Sequence, residues 1–338
     1  MLIVPRWLGA LVVLGLTFWW ALGLAVAGPG GDSLRLALAA IYALAGLAAV
    51  VGLVLERGWR PALAVYGVAL LAVLGWWLSL RPSNERAWTP EVARLAHATI
   101  QGDLVTVHDI RNFDYRSETD FTPAYYDRTF DVRKLDTLDL LPVYWMGPAI
   151  AHMLVSFGFG DDHLAVSIEA RKVEGESYSS LKGFFRQYEL VYVVADERDV
   201  VRVRTNYRRD PPEDVYLYRV YGPRENLRRV FLDYVREIDA LYARPKFYNT
   251  VTSNCTTNIL LHTRVNPSSL PMSWKILLSG YAPEYAYDNG RLDRSLPFSE
   301  LRQRSHINAR AQAADQAADF SRRIRQGLPG LTVATDPG

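Results

Sequence analysis

The sequence predicts an α+β protein, with three N-terminal transmembrane helices followed by an extracytoplasmic domain of antiparallel sheet and packed helices. Three observations predict it. Almost everything up to Leu80 is apolar, and almost all the charge comes later. Beyond that point short runs of alternating apolar and polar residues recur between turn residues, as half-buried strands do. Past residue 220 an amphipathic stretch and a capped stretch read as helices that bury a face on such a sheet.

The apolar stretches run over about residues 7–27, 36–55 and 61–80. Each is close to the roughly 20 uncharged residues needed to cross a hydrocarbon core. Trp7, Trp19, Trp20, Trp59, Trp76, Trp77 and Trp88 cluster near their ends, as interfacial aromatic belts do. Arg6 lies near the N-terminus, Arg57 and Arg60 lie in the second loop, and the first loop holds Asp32 and one Arg. The positive-inside rule therefore puts the N-terminus and second loop in the cytoplasm, and everything after Arg81 outside. Ala25-Val26-Ala27 also fits a signal-peptidase site, and cleavage there leaves the domain on the same side.

The expected organisation is a membrane anchor over 1–80, a linker with an entry helix over 81–100, a domain over 101–290, and a C-terminal helix and tail over 291–338. Residues 90–100 read as the entry helix and 104–107 as a first strand. Residues 125–141 are polar and irregular. Residues 149–159 and 163–171 form a hairpin around Gly160-Asp161-Asp162, and 190–194 pairs with 200–204. Residues 215–220 add a further strand. Residues 223–242 form a helix with Leu227, Val230, Phe231, Tyr234, Ile238 and Leu241 on one face. Another helix starts at Asn254. Residues 309–325 read as a charged surface helix, and the final residues as disordered.

A net charge of +2 gives no bulk electrostatic reason to expect nucleic acid. There is no metal-ligand spacing, phosphate-cradling glycine motif or Gly-x-Ser-x-Gly elbow, so neither a metal nor another cofactor is expected.

Cys255 is the only cysteine. Outside the cytoplasm cysteines usually pair, so a lone one is either an apolar filler or a working thiol. It follows Ser253 and Asn254, both good N-cap residues. In the first turn of a helix its thiolate is stabilised, its pKa falls, and free N–H groups can receive an oxyanion.

A thiol nucleophile also needs a base. The histidines are His97, His108, His152, His163, His262 and His306. His262 is two turns along the same helix from Cys255, roughly 10 Å by rise, too far to act locally. His152 lies between Ala151 and Met153 in an apolar strand, where burying an imidazole costs free energy unless it has a partner. It reads either as a satisfied core histidine or as the base. A tight turn at Asp161-Asp162 sets His152 opposite Arg171 and diagonal to Glu169. Glu169 is then either the acceptor that orients the ring or half of a surface ion pair with Arg171.

Arg111, Arg116, Lys182 and Arg198 are candidates to bind an anionic headgroup, or ordinary salt-bridge partners. Tyr144-Trp145 and Phe184-Phe185 are candidates to line an acyl groove, or core residues.

Four blocks carry a resemblance: residues 112–116 (NFDYR), 150–159 (IAHMLVSFGF), 181–190 (LKGFFRQYEL) and 252–258 (TSNCTTN). Together they resemble the Lnb-type bacterial lipoprotein N-acyltransferase domain, over roughly residues 103–287. The order His then Cys is also similar to the circularly permuted NlpC/P60 papain-like fold and to lecithin:retinol acyltransferases. The resemblance implies a Cys255–His152 dyad; Glu169 or another polar group completes the triad, and Asn254 is a further candidate to touch substrate. It implies a phospholipid acyl donor, a thioester on Cys255 and a diacylated lipoprotein acceptor. The place it implies is the bacterial inner membrane, with the catalytic domain facing the periplasm. Two alternatives stand beside it. One is a membrane-anchored cysteine peptidase or amidase acting on cell-wall peptide, against which the polytopic anchor argues. The other is a non-catalytic binding module in which Cys255 is filler.

Overall fold

In the computed structural model, residues 6–331 are described. They form two compact units: the chain up to Ser83 with Tyr178–Tyr188, and Asn84–Ser177 with the chain from Glu189. The expected disordered tail lies largely outside the described residues.

The first unit is built on α1 (Arg6–Ala27), α2 (Asp32–Leu55) and α3 (Trp59–Ser79), each long and apolar enough to cross a membrane. Leu11, Leu44, Val68 and Leu71 are exposed on these helices, a surface suited to lipid rather than water. A Cβ at position 46 would meet Thr17 Oγ1 at 2.1 Å, so only glycine lets α2 approach α1 this closely. Tyr42 and Tyr66 hydrogen-bond across α2 and α3 at 3.0 Å. A short helix, α4 (Ser180–Phe184), belongs to this unit. Phe184 and Phe185, candidates for an acyl groove, are engaged by aromatic neighbours. They pack on Trp19 at 5.8 and 4.9 Å between ring centroids, and Phe185 also meets Trp77.

The second unit holds a mixed sheet. Its strands are β1 (His97–Gln101), β2 (Leu104–Arg111), β5 (Tyr125–Asp131), β6 (Thr137–Tyr144), β7 (His152–Phe159), β8 (Asp162–Arg171), β9 (Glu189–Ala195), β10 (Asp214–Val215) and β11 (Tyr218–Arg219). β3 (Asp114–Tyr115) and β4 (Phe121–Thr122) make a separate small hairpin. The main order is β1-β2-β9-β8-β7-β6-β10, with β5 on β2 and β11 on β6. The pairs are antiparallel except β2–β9, where Arg111 meets Ala195 in parallel. The helices are α5 (Glu197–Arg202), α6 (Arg224–Ala243), α7 (Cys255–Thr263), α8 (Trp274–Leu277), α9 (Ala282–Asp288), α10 (Phe298–Arg304), α11 (Asn308–Ala313) and α12 (Phe320–Ile324).

Several expectations are corrected. The entry helix is only a 3₁₀ turn over Pro90–Val92, after which β1 pairs along β2. Residues 125–141 contain β5 and most of β6. Asp127, Arg128 and Thr129 on β5 are exposed, and that polarity hides the strand. Residues 200–204 fall in α5 and the π-helical turn after it, because the Asp196 carboxylate accepts the Arg198 N–H and starts a helix there. A short apolar run such as Val200-Val201 fits either period. The strand at 215–220 splits into β10 and β11. The expected surface helix is two helices, with Ala311, Phe320 and Ile324 buried.

One sheet face, carrying Leu141, Val143, Leu154 and Val193, packs against α5, α11 and α12. On the other, Phe157 stacks edge-on with Phe231 and Tyr234 of α6, at 5.1 and 5.3 Å. Because side chains alternate, His152 and Ser156 share the face of Leu154, while Met153 and Val155 share that of Phe157.

The first face buries charge. The Arg325 guanidinium donates to Glu197 at 2.6 and 2.7 Å and to Asp139 at 3.0 Å. Asp139 also accepts from Arg219 at 2.6 Å, and Ser156 donates to Glu197 at 2.6 Å. Asp139 and Glu197 are fully buried. Arg325→Met leaves them short of a cation and is expected to cost about 3–5 kcal/mol, read by denaturant unfolding of the full chain in detergent. A loss under about 1 kcal/mol would mean that both carboxylates reach water instead.

Candidate functional site

Cys255 is the first residue of α7, and Asn254 is its cap. The Asn254 side-chain oxygen accepts the Thr257 N–H at 2.9 Å, and Thr257 Oγ1 accepts the Asn254 N–H at 2.9 Å. This reciprocal box fixes where the helix begins, and so where the sulfur sits. The Asn254 amide nitrogen donates to Thr250 O at 2.7 Å. With its oxygen and one N–H committed to backbone, Asn254 positions the start of the helix.

Cys255 Sγ lies 3.7 Å from Thr256 Oγ1, and the backbone N–H groups of Met153 and Thr256 lie near enough to favour its thiolate. The sulfur therefore rests against the start of β7, beside the residue next to His152. Loop packing sets that start. Ala151 N–H donates to Ser279 Oγ at 2.9 Å, and Gly280 N–H to Ala149 O at 3.0 Å. A Cβ at position 280 would meet Pro148 O at 2.0 Å, so this close approach requires glycine.

The β7–β8 turn is Gly160-Asp161, closed by the Phe159–Asp162 pair, with Gly160 at φ +69°. This corrects the expected register. Leu154 pairs with Ser167, and the same register carried on sets His152 across from Glu169 rather than Arg171. Arg171 is buried, donating to Val92 O and Ala93 O at 2.9 and 2.8 Å.

His152 Nε2 lies 2.7 Å from Ser167 Oγ, and Ser167 Oγ donates to Glu169 Oε1 at 2.7 Å. Glu169 Oε1 is 3.7 Å from the ring and accepts from Arg204 Nη2 at 3.0 Å. The hydroxyl has one proton, and the carboxylate takes it, so Nε2 must donate to the hydroxyl oxygen. The Nε2–H tautomer follows, with the lone pair on Nδ1. Among the described residues no hydrogen bond occupies Nδ1, and none joins the ring to Cys255.

Burial, aided by Arg204, pushes the His152 imidazole down to about 3 against the opposing pull of Glu169. Burial works to raise the Glu169 carboxyl, yet Arg204 and the Ser167 hydroxyl help hold it well below the usual range. Burial pushes the Cys255 thiol up, and the Glu169 charge adds to this, outweighing the N–H groups at its sulfur. The expected lowering by the helix start is thus overturned. At neutral pH both thiol and ring are uncharged.

The other candidates lie elsewhere. Arg111 is buried and bidentate to Asp199 at 2.7 and 2.9 Å, with its third donor on Glu91 O, so it holds the fold rather than a headgroup. Arg116 is exposed in the β3–β4 hairpin and paired with Asp120 and Thr122. Lys182 is in α4 of the first unit. Tyr144 is buried, its hydroxyl donating to Gly280 O at 2.7 Å, so it is a core residue. His262 bridges Asp233 and Tyr192, at 2.8 Å to each, and ties α7 to α6 and β9.

Sequence reasoning missed Ser167 and Arg204. Ser167 was signalled by its place two residues before Glu169, opposite the apolar Val166 and Ile168. Arg204 had no signal while its segment read as a strand.

No curated protein and no solved structure matches the chain. A family model, the Lnb N-terminal periplasmic domain, matches residues 121–280, a span that holds His152, Ser167, Glu169, Arg204 and Cys255. Behind three helices long and apolar enough to cross a membrane, residues 121–280 therefore belong to the Lnb N-terminal periplasmic domain family.

Proposed function

We propose that this protein is a lipoprotein N-acyltransferase of the bacterial inner membrane. A phospholipid gives an acyl chain to Cys255, and the α-amine of a diacylglyceryl-cysteine lipoprotein N-terminus takes it. One observation carries the reading. A protonated thiol at a capped helix start lies beside the strand of a neutral imidazole whose Nδ1 lone pair is unspent. The family match and the membrane-spanning helices support a lipid substrate.

In the first half-reaction Sγ attacks the ester carbonyl as its proton passes to Nδ1. The C–S bond forms, the C–O bond breaks, and the proton goes to the departing lysophospholipid oxygen. In the second, the amine nitrogen attacks the thioester. The C–N bond forms, the C–S bond breaks, and the amine proton returns through Nδ1 to sulfur. Because thiol and ring both start neutral, the proton moves during attack rather than before it. Sulfur and ring close on each other when substrate binds, and Ser167 and Glu169 hold the tautomer that can accept. N–H groups at the start of α7 can receive the developing oxyanion.

The first test incubates the full-length protein with acyl-labelled phospholipid and seeks hydroxylamine-labile label on Cys255. Label that persists in Cys255→Ala would sink the thioester, and cleavage of wall peptides without label would favour an amidase. Restored N-acylated lipoproteins in cells lacking their own N-acyltransferase would identify the acceptor. His152→Ala is expected to slow acylation by about 10²–10⁴-fold. Ser167→Ala should cost about tenfold through a lost hydrogen bond. The pH dependence follows from the low imidazole pKa. A depressed base stays deprotonated as pH falls, so acylation should hold its rate through the ordinary imidazole range near pH ~6.5. Removing a cation raises that pKa, so Arg204→Gln should move the acid limb to higher pH. A wild-type limb near pH ~6.5 would mean that the ring titrates as a solvated histidine.

A further inference from the structure

We propose that an apolar cavity in the second unit is the acyl-chain site, and that its end at Leu138 sets chain-length preference. The inference rests on the thioester reading above.

The cavity, about 160 Å³, lies between the sheet and α6 to α9. Met153 and Thr256 line it; Thr256 Oγ1 lies 3.7 Å from the Cys255 sulfur, and the Met153 N–H is near enough to act on it. The lining then follows the sheet through Val155 and Leu140 to Leu138. Met153 pairs with Pro142, and Leu138 pairs with Phe157 four residues along. The cavity therefore extends about 13 Å along the strands from the sulfur. Val230 of α6 and Ile259 of α7 form part of the opposite wall.

Several polar groups at the wall bond one another or the backbone, while the Asn266 side-chain oxygen has no partner among the described residues. Asn226 O accepts from Asn266 at 3.1 Å, Tyr221 OH donates to Gly330 O at 3.2 Å, and Arg291 donates to Ser268 O at 2.6 Å. A peptide in this space would bury its amides against an apolar lining. A hydrocarbon chain needs no partner and gains from every methylene removed from water. One end must reach the sulfur, and the end that begins beside Cys255 supplies that continuity. The acyl groove expected at Tyr144 and Phe184 is replaced by this cavity, whose walls come from segments far apart in sequence.

The test uses the full-length protein in bilayers holding equal amounts of a short-chain and a long-chain phosphatidylethanolamine, with mass spectrometry of the Cys255 adduct. Leu138→Phe should shift the short-to-long ratio upward by about tenfold, and Leu138→Ala should shift it downward. An unchanged ratio in both variants, with thioester still forming, overturns the cavity assignment and leaves the acyltransferase reading standing. If the wild-type protein forms no thioester, or a variant fails to fold, a diazirine-bearing long-chain fatty acid is photolysed with Cys255→Ala. Crosslinks at Leu140, Val230 or Ile259 support the site. Crosslinks confined elsewhere, or none, overturn it.

Discussion

The site depends on the register of one hairpin. Closing β7 to β8 at Phe159–Asp162 decides which β8 residues share a face with His152. A slip of one residue would turn Ser167 and Glu169 toward α6 and bring Val166 and Ile168 beside the imidazole. The ring would then be buried among apolar groups with no acceptor for its N–H. Gly160, at φ +69°, permits the tight turn that excludes this slip. Apolar residues on the opposite face, Leu164, Val166 and Ile168, enforce the same register by burial.

The face that carries His152 is unusual in holding charge as well as hydrocarbon. Three arginines are each committed to buried or partly buried carboxylates: Arg111 to Asp199, Arg204 to Glu169 and Glu213, and Arg325 to Glu197 and Asp139. Each set is tolerable only because its members satisfy one another. Two arginines come from late in the chain, so the segment after residue 200 is part of the scaffold. Arg204 is also what links this scaffold to the chemistry, since its charge bears on both His152 and Glu169.

Much of this was legible in the sequence. Uninterrupted apolarity marked α1 to α3, alternation marked β7 and β8, and the Asn254-Cys255 pair marked the start of α7. These signals are local, and local signals survive folding. Arg111 failed as a headgroup candidate for a different reason. An exposed arginine and a buried one look alike in sequence, and only the carboxylate brought from 88 residues away shows that Arg111 is spent. The thiol's pKa failed likewise. A helix start lowers it and burial raises it, and burial is a property of packing. Ser167 was readable as a polar residue on the Glu169 face, but its bond to the ring needed the register.

The capped but protonated Cys255 has a consequence for how long the protein lasts. Alkylating agents and peroxides attack thiolates, and a lone cysteine has no neighbour with which to resolve a sulfenic acid. In an oxidising compartment such a sulfur, if ionised at rest, would drift to the sulfinic state and stay there. Burial and the Glu169 charge keep Cys255 out of that chemistry by keeping its proton on. The burial that holds the proton on the thiol thus also acts as the sulfur's preservative.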